Sequence, residues 1–323
     1  MLHAITVSIF SFVIATLAVG LLARGRVALD KPNARSLHAT PTPRTGGIGL
    51  ILGVAAGWAV ASPHMPLQLW IALALVIFVS LADDFHGLPA VTRLVAHLLA
   101  AALAVPEVLN TNASLPLVLA AVLATGWMCN LYNFMDGSDG LAGGMAVLGF
   151  STYGAAAWLA GSTQFALLNL TIAAAAAGFL LHNVHPARIF LGDAGSIPLG
   201  FVAAVFGLIG WQQQDWTWWF PILTFSPFIV DASVTLARRL FSGARIWEAH
   251  RDHYYQRLVQ IGLGHRGTAL AEYALMTVCA LAALGAMTLT PSGQHVVLGI
   301  AALVYLVLIA GIGRVWRRRT TRA

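Results

Sequence analysis

Charge is what this chain has least of. Of its 323 residues, 9 % are Asp, Glu, Lys or Arg and 59 % are hydrophobic, with a mean hydropathy of +0.79. Soluble domains carry about a quarter charged residues. The polar groups present cannot cover a globule of this length, which excludes a water-soluble protein. Cysteine is scarce too: Cys129 and Cys279 both lie in apolar runs, which argues against a disulfide framework. Low-complexity linkers, fixed-period repeats and a separate soluble domain are missing, and no nucleic-acid partner is expected. The first apolar run lacks a basic leader and a small-residue cleavage site, so it reads as a retained span. The implied class is all-α, a polytopic helical bundle in a lipid bilayer, with residues 1–323 as one multi-span domain.

A helix crosses the hydrocarbon core with roughly 20 mainly apolar residues. About eleven such runs are present: 2–23, 46–62, 67–82, 91–106, 115–131, 140–160, 163–182, 195–211, 216–237, 268–290 and 295–313. With eleven spans, all 18 Lys and Arg fall on one side of the membrane. The positive-inside rule makes that side cytoplasmic, with the N-terminus periplasmic and the C-terminus cytoplasmic. The cytoplasmic connections are then 24–45, 83–90, 131–139, 183–194 and 238–267.

The few carboxylates are not scattered. Only Glu107 and Asp215 of the 12 acidic residues fall clearly on the outer side. Asp83 and Asp84 lie in "SLADDFHGL", Asp136 and Asp139 in "NLYNFMDGSDGLAGG", and Asp193 in "IFLGDAGS", three short turns after spans three, five and seven. A bundle can bring these turns round one cytoplasmic cavity. Neighbouring carboxylates repel unless they hold cations or pair with Arg. Hard cations such as Mg²⁺ take carboxylate and amide oxygens, keep waters and are completed by substrate phosphates; Asn133, Asp136 and Asp193 are suitable ligands. The glycines of both Gly-rich turns allow backbone amides at a helix start to approach phosphate oxygens. Arg93, with His97 one turn later, and the loop "EAHRDHYYQRLVQIGLGHR" supply basic partners for a sugar and a diphosphate. Arg238, Arg239 and the terminal "RVWRRRTTR" read as topology anchors. Asp231, inside span nine, either pairs with a nearby cation or belongs to the site.

These motifs resemble, in order and through nearly the whole chain, the polyprenyl-phosphate N-acetylhexosamine-1-phosphate transferases, the group that holds O-antigen-initiating enzymes and the phospho-MurNAc-pentapeptide translocase. The carrying segments are "KPNARSLHATPTPRTGGIG", "ADDFHGL" with Arg93, "NLYNFMDGSDGLAGG", "FLGDAGS" and "HRDHYYQRL". The last departs from the compact His-x-His-His pattern of many members. The resemblance implies transfer of an N-acetylamino-sugar-1-phosphate from a UDP-sugar to undecaprenyl phosphate, giving undecaprenyl-diphospho-sugar and UMP, at the cytoplasmic face of a bacterial inner membrane. It implies Mg²⁺, with Mn²⁺ as the substitute, on Asn133 and Asp193 with Asp136 close by. Asp139 resembles a uracil-recognising position and Phe190 one that stacks on the base. The resemblance places the Asp83–Asp84 pair by the acceptor phosphate, with Asp83 or Asp84 as base, and Arg93 at the phosphates. Lys31, Arg35, His38 and Arg44 match positions near the lipid phosphate, while His250, Arg251 and His253 sit in the sugar-contacting loop. A homodimer is one arrangement such membrane enzymes adopt. The rival readings are a cation-coupled transporter, with mid-membrane carboxylates on broken helices, and a Mg²⁺-dependent prenyltransferase, for which "ADDFHGL" lacks the second Asp of a DxxxD repeat.

Overall fold

The computed structural model describes residues 2–25, 27–30, 40–244 and 250–320. Inside a bilayer every backbone N–H and C=O must be paired within the protein, and a chain of apolar runs meets that demand as helices. The rods are α1 (Leu2–Leu22), α2 (Gly46–Ala61), α3 (Leu67–His86), α4 (Ala90–Val108), α5 (Leu115–Phe134), α6 (Leu141–Leu159), α7 (Thr163–Asn183) and α8 (Asp193–Gln212). They continue as α9 (Trp219–Thr224), α10 (Ser226–Phe241), α11 (Tyr254–Leu258), a π-helical turn at Val259–Leu263, α12 (Gly264–Ala286) and α13 (Pro291–Thr320). The one extended feature among the described residues is a two-residue antiparallel pairing of β1 (Leu29–Asp30) with β2 (Thr42–Pro43) before α2.

Among the described residues, eight helical stretches are long and apolar enough to cross a membrane. The other three apolar runs of the sequence differ for identifiable reasons. α2 has only 16 residues. The run 216–237 is broken at Phe225 into α9 and α10. α6 is long enough but rich in Gly, Ala, Ser and Thr, because it is surrounded by protein: Gly143, Gly149 and Gly154 each pack against a side chain of α7 or the α9–α10 break. Lipid-facing helices such as α13 instead expose Val296, Ile300, Leu303, Leu306 and Val307.

Two contacts set the frame of the polar end. α2 starts where α8 starts, and a Cβ on Gly47 would fall within 2.3 Å of the Gly195 backbone nitrogen, so only glycine permits this approach. The amides of Gly46 and Gly47 donate to the carbonyls of Phe190 and Leu191, at 2.9 and 2.7 Å. The first turn of α2 is thereby sewn to the turn that leads into α8. Deeper in the bundle, Tyr132, Phe150, Tyr153, Phe220, Phe225 and Phe228 form a buried aromatic core, with the Tyr132 hydroxyl donating to the Ala142 carbonyl at 2.9 Å. That bond ties α5 to α6 on either side of the Gly-rich turn. Both cysteines are buried and free.

Candidate active site

The last turn of α3 carries Asp83 and Asp84, both buried. The helix stops there because Gly87 takes a left-handed conformation, φ +68°. Adjacent in sequence, the two carboxylates have different partners. Asp84 accepts from the backbone amides of Asp193 (3.1 Å) and Ala194 (2.8 Å), so it caps the N-terminus of α8 from 109 residues away. An anion at that position satisfies otherwise orphaned amides and suits the helix dipole. Arg44 completes the joint, donating to the Asp84 carbonyl at 2.6 Å with its Nε 3.6 Å from the carboxylate. Gly192 is required beside it: φ is +73°, and a Cβ would stand 2.4 Å from the Arg44 carbonyl oxygen. Asp83 instead accepts from the Leu88 amide at 2.5 Å and from Arg93 at 2.8 Å.

Arg93 reaches further. The same nitrogen lies 3.3 Å from Asp193, the first residue of α8. Asn133, at the end of α5, donates to the other Asp193 oxygen at 2.8 Å and to Ser196 Oγ at 3.1 Å. Ser196 in turn donates to the Gly192 carbonyl at 3.0 Å. Asp136 stands in the turn after α5 under the charges of Asp193 and Asp84, faced by the Gly192 backbone N–H. Burial first, then those two negative charges, push its carboxyl well above the usual carboxylate range. Four carboxylates, Asp83, Asp84, Asp136 and Asp193, thus share one region with two guanidinium groups, Arg44 and Arg93.

That donor set fits a hard divalent cation. It offers only oxygen, carries excess negative charge, and leaves Asp136 in a state that added positive charge would relieve. Among the described residues no three His, Cys, Asp or Glu side chains already form a metal cage. Mg²⁺ needs none, because it keeps waters and binds through one or two carboxylates plus phosphates. Asn133, Asp136 and Asp193 are the groups that could hold such an ion.

Asp139 is three residues beyond Asp136 but faces a different set. It accepts from His185 Nδ1 at 2.6 Å and from the Ala187 amide at 3.2 Å, and lies 3.8 Å from His265 Nδ1. Asn183 joins the two turns, accepting from the Gly140 amide at 2.9 Å and donating to the Ile189 carbonyl at 2.9 Å. Phe190 is on the same connection, its amide donating to the Pro43 carbonyl at 2.7 Å.

The histidine-rich loop is anchored by Asp231 of α10. Its carboxylate accepts from the amides of Tyr254 and Tyr255, both at 2.8 Å, and from Thr235 Oγ1 at 3.1 Å, with His253 Nδ1 at 3.3 Å. Asp231 therefore caps α11; its partners are two amides, a hydroxyl and an imidazole, not Arg or Lys. Tyr255 carries the link onward by donating to the Phe134 carbonyl at 3.0 Å, one residue past Asn133. Arg239 pairs with Asp252 at 2.5 Å, and Arg257 lies 5.3 Å from the rings of both Tyr254 and Trp316. These basic residues brace the loop. Burial, then His253 and Arg239, hold His250 down to about 4, so it is neutral near pH 7.

Of the residues expected from the sequence, Asp83, Asp84, Arg93, Asn133, Asp136 and Asp193 come together, with Arg44 as the brace behind Asp84. Asp139 and Phe190 flank them, and His250, Arg251 and His253 belong to the adjoining loop. Lys31, Arg35 and His38 lie outside the described residues. Ser196, Tyr255 and His265 lie within quoted motifs but nothing there singles them out, while Asn183 and His185 stand in no motif: single polar residues in turns or helix starts carry no periodic signal.

The family model described as Glycosyl transferase family 4 matches residues 66–211, from the approach to Asp83 past Asp193. A Mycobacterium leprae (strain TN) protein named decaprenyl-phosphate N-acetylglucosaminephosphotransferase is 30 % identical over 365 residues, covering 94 % of this chain and 90 % of that protein. The chain belongs to this family. It is also similar to a Yersinia pestis member named undecaprenyl-phosphate alpha-N-acetylglucosaminyl 1-phosphate transferase, 27 % identical over 96 % of this chain and 91 % of that protein. A third member, the phospho-N-acetylmuramoyl-pentapeptide-transferase of Symbiobacterium thermophilum, is 33 % identical over 58 % of this chain and 66 % of its own length. The chain is thus a multi-pass membrane protein among polyprenyl-phosphate N-acetylhexosamine-1-phosphate transferases.

Proposed function

We propose that this protein transfers an N-acetylamino-sugar-1-phosphate from a UDP-sugar to undecaprenyl phosphate, at the cytoplasmic face of a bacterial inner membrane, as the first step of O-antigen or a related envelope glycan. The observation that carries the reading is the convergence of Asn133, Asp136 and Asp193 with Arg93 and Asp83 at the ends of α5, α8, α4 and α3. The names of the relatives support the lipid phosphate acceptor and make N-acetylglucosamine the first sugar to test.

In the proposed reaction an oxygen of the lipid phosphate attacks the phosphorus that bears the sugar. The bridging P–O bond breaks and UMP leaves with the electron pair. Phosphoryl transfer needs in-line placement and neutralised phosphate oxygens more than covalent help. Arg93 is positioned to hold the phosphates, while Asp83 keeps Arg93 extended and is itself held in an ion pair. That engagement favours direct attack over an aspartyl intermediate, and a phosphate monoester with its second pKa of about 6 is already ionised near pH 7. Mg²⁺ held on Asn133, Asp136 and Asp193 would neutralise the diphosphate. The loop of His250, Arg251 and His253, pinned to the metal turn through Tyr255, is placed to read the sugar.

The test is UMP release by purified protein in detergent with undecaprenyl phosphate, Mg²⁺ and UDP-linked N-acetylglucosamine, N-acetylgalactosamine, N-acetylfucosamine and N-acetylquinovosamine. Lipid-dependent UMP from one donor, abolished by EDTA, supports the proposal. No UMP from any donor with a folded protein overturns it.

A further inference from the structure

The end of the bundle opposite the acidic turns carries the mouth of a second depression, in two parts of opposite character. One part is an apolar groove of about 480 Å³ between α2, α3 and α8. Trp58 and Trp70 wall it near the mouth, and its deep end reaches Gly195 and Pro198 in the first turns of α8. The wall is fixed: Trp58 stacks on Phe206 with centroids 5.8 Å apart and meets Trp70 edge-on at 5.9 Å. Its indole N–H donates to Thr171 Oγ1 at 2.9 Å. The other part is a polar pocket of about 700 Å³ where α4 and α8 end and α7 begins, lined by His64, Glu107, Thr163, Gln212 and Gln213. The two parts adjoin. Pro63 lines both, and on three helices the lining of the pocket passes to that of the groove within about one turn: Leu69 to Leu73, Leu168 to Ile172, and Phe206 to Val202.

A polar pocket above an apolar slot has the form of a membrane lipid, and the charge of the pocket narrows which. Glu107 is the one carboxylate among its described lining residues, and no Lys or Arg lines either part. Glu107 and His64 are both exposed, so their polar atoms are open to a ligand. Behind the wall, Ser162 donates to Asp215 Oδ1 at 2.5 Å, and Asp215 Oδ2 is buried with no hydrogen-bond partner among the described residues. Acceptors with no cation beside them favour an ammonium group and disfavour a headgroup of net negative charge. His64 offers a ring N–H in either protonation state, and Gln212 and Gln213 offer amide donors, for the phosphate that joins a headgroup to its chains. In a bilayer the gain from the slot is close packing against fixed walls, not transfer from water. We propose that this depression holds one phospholipid with an amine headgroup, its ammonium at Glu107 and one acyl chain in the groove between α2, α3 and α8. Apart from Gly195 at the deep end, the site shares no residue with the acidic turns, and it does not depend on the reaction proposed for them.

The experiment titrates delipidated protein in detergent with dioleoyl-phosphatidylethanolamine and with dioleoyl-phosphatidylglycerol. Bound lipid is read by native mass spectrometry and stability by thermal melting, in wild type, Glu107→Gln and Ala74→Phe. Ala74 lines the groove from α3, so a ring there fills the slot and leaves the polar pocket as it is. The expected result is one ethanolamine lipid held per chain, about three- to fivefold tighter than the glycerol lipid, the scale of one exposed ion pair. The melting temperature rises when it is bound. Glu107→Gln loses the preference while still binding both lipids, and Ala74→Phe binds both more weakly. Equal affinity of wild type for the two lipids overturns the proposal without any variant. So does a Glu107→Gln protein that keeps the preference, or an Ala74→Phe protein that binds both lipids as wild type does. Undecaprenyl phosphate that displaces the ethanolamine lipid from wild type one for one gives the groove to that chain instead, and overturns it as well.

Discussion

Two groups of carboxylates stand near the same end of this bundle, and their surroundings differ. Asp231 has two backbone amides, a threonine hydroxyl and an imidazole arranged around it. Asp136 has Asp193 and Asp84 for neighbours and a single amide facing it. A buried charge that is fully hydrogen-bonded is a joint, and here it fastens the start of α11 to α10. A half-buried charge crowded by others of its own sign is held in an unfavourable state by the fold, which is the condition in which a cation or a phosphate-bound metal binds tightly. Asp83 and Asp84, adjacent in sequence, divide their work differently: Asp84 caps α8, and Asp83 pairs with the arginine that reaches Asp193.

The contrast breaks most visibly under substitution. Asp193→Asn removes a charge from the crowded group while keeping its shape, and UMP release is expected to fall at least 100-fold with the melting temperature unchanged or raised. A variant with near-normal turnover would remove Asp193 from the chemistry. Asp231→Ala is expected to do the opposite. It leaves two buried amides unpaired, at roughly 1–3 kcal/mol each, so the detergent-solubilised protein melts several degrees lower. Turnover measured well below that temperature falls less than tenfold. Loss of activity with no change in melting would mean that Asp231 belongs to the reacting groups.

A smaller effect concerns pH. With its carboxyl raised, Asp136 holds a proton in the folded protein that the unfolded chain has already released. Stability without cation therefore decreases as pH rises through the raised value. Mg²⁺ must displace that proton, so the stabilisation it confers grows with pH and its half-saturating concentration falls, by up to tenfold per pH unit. Thermal melts with and without Mg²⁺ across pH 6 to 9 read this directly, and a Mg²⁺ increment independent of pH would count against Asp136 as a ligand. The smallest expected effect is at His250. It is held near 4 in the fold against an ordinary 6.5, so the unfolded chain takes up its proton first. Stability is complete above about 6.5 and declines as pH falls toward 4, and His250→Ala should flatten that slope in acid melts.

Much of this was legible in one dimension. Eleven apolar runs read as helices because the bilayer leaves the backbone no alternative, and each run is helical in the structure, the ninth with a break at Phe225. The three acidic turns read as one site because carboxylates are too rare here to recur by accident on one side. Arg93 was visible for the same reason. The partners of those residues were not visible. That Asp84 caps a helix beginning 109 residues later, while Asp83 pairs with Arg93, follows from how the last turn of α3 meets the first of α8. That meeting depends on the close approach of Gly47 to Gly195. His185 offered no pattern, being an isolated polar residue in a loop, and His265 was one member of a histidine-rich loop with nothing to mark its partner Asp139.

Composition and the placement of apolar runs determined that the chain is a membrane bundle with most of its carboxylates gathered in short turns, since hydrophobic transfer and backbone pairing act on each segment locally. Tertiary structure decided which carboxylate is satisfied and which is crowded. Hydrogen bonding and electrostatics act across space, over distances that have no counterpart along the chain.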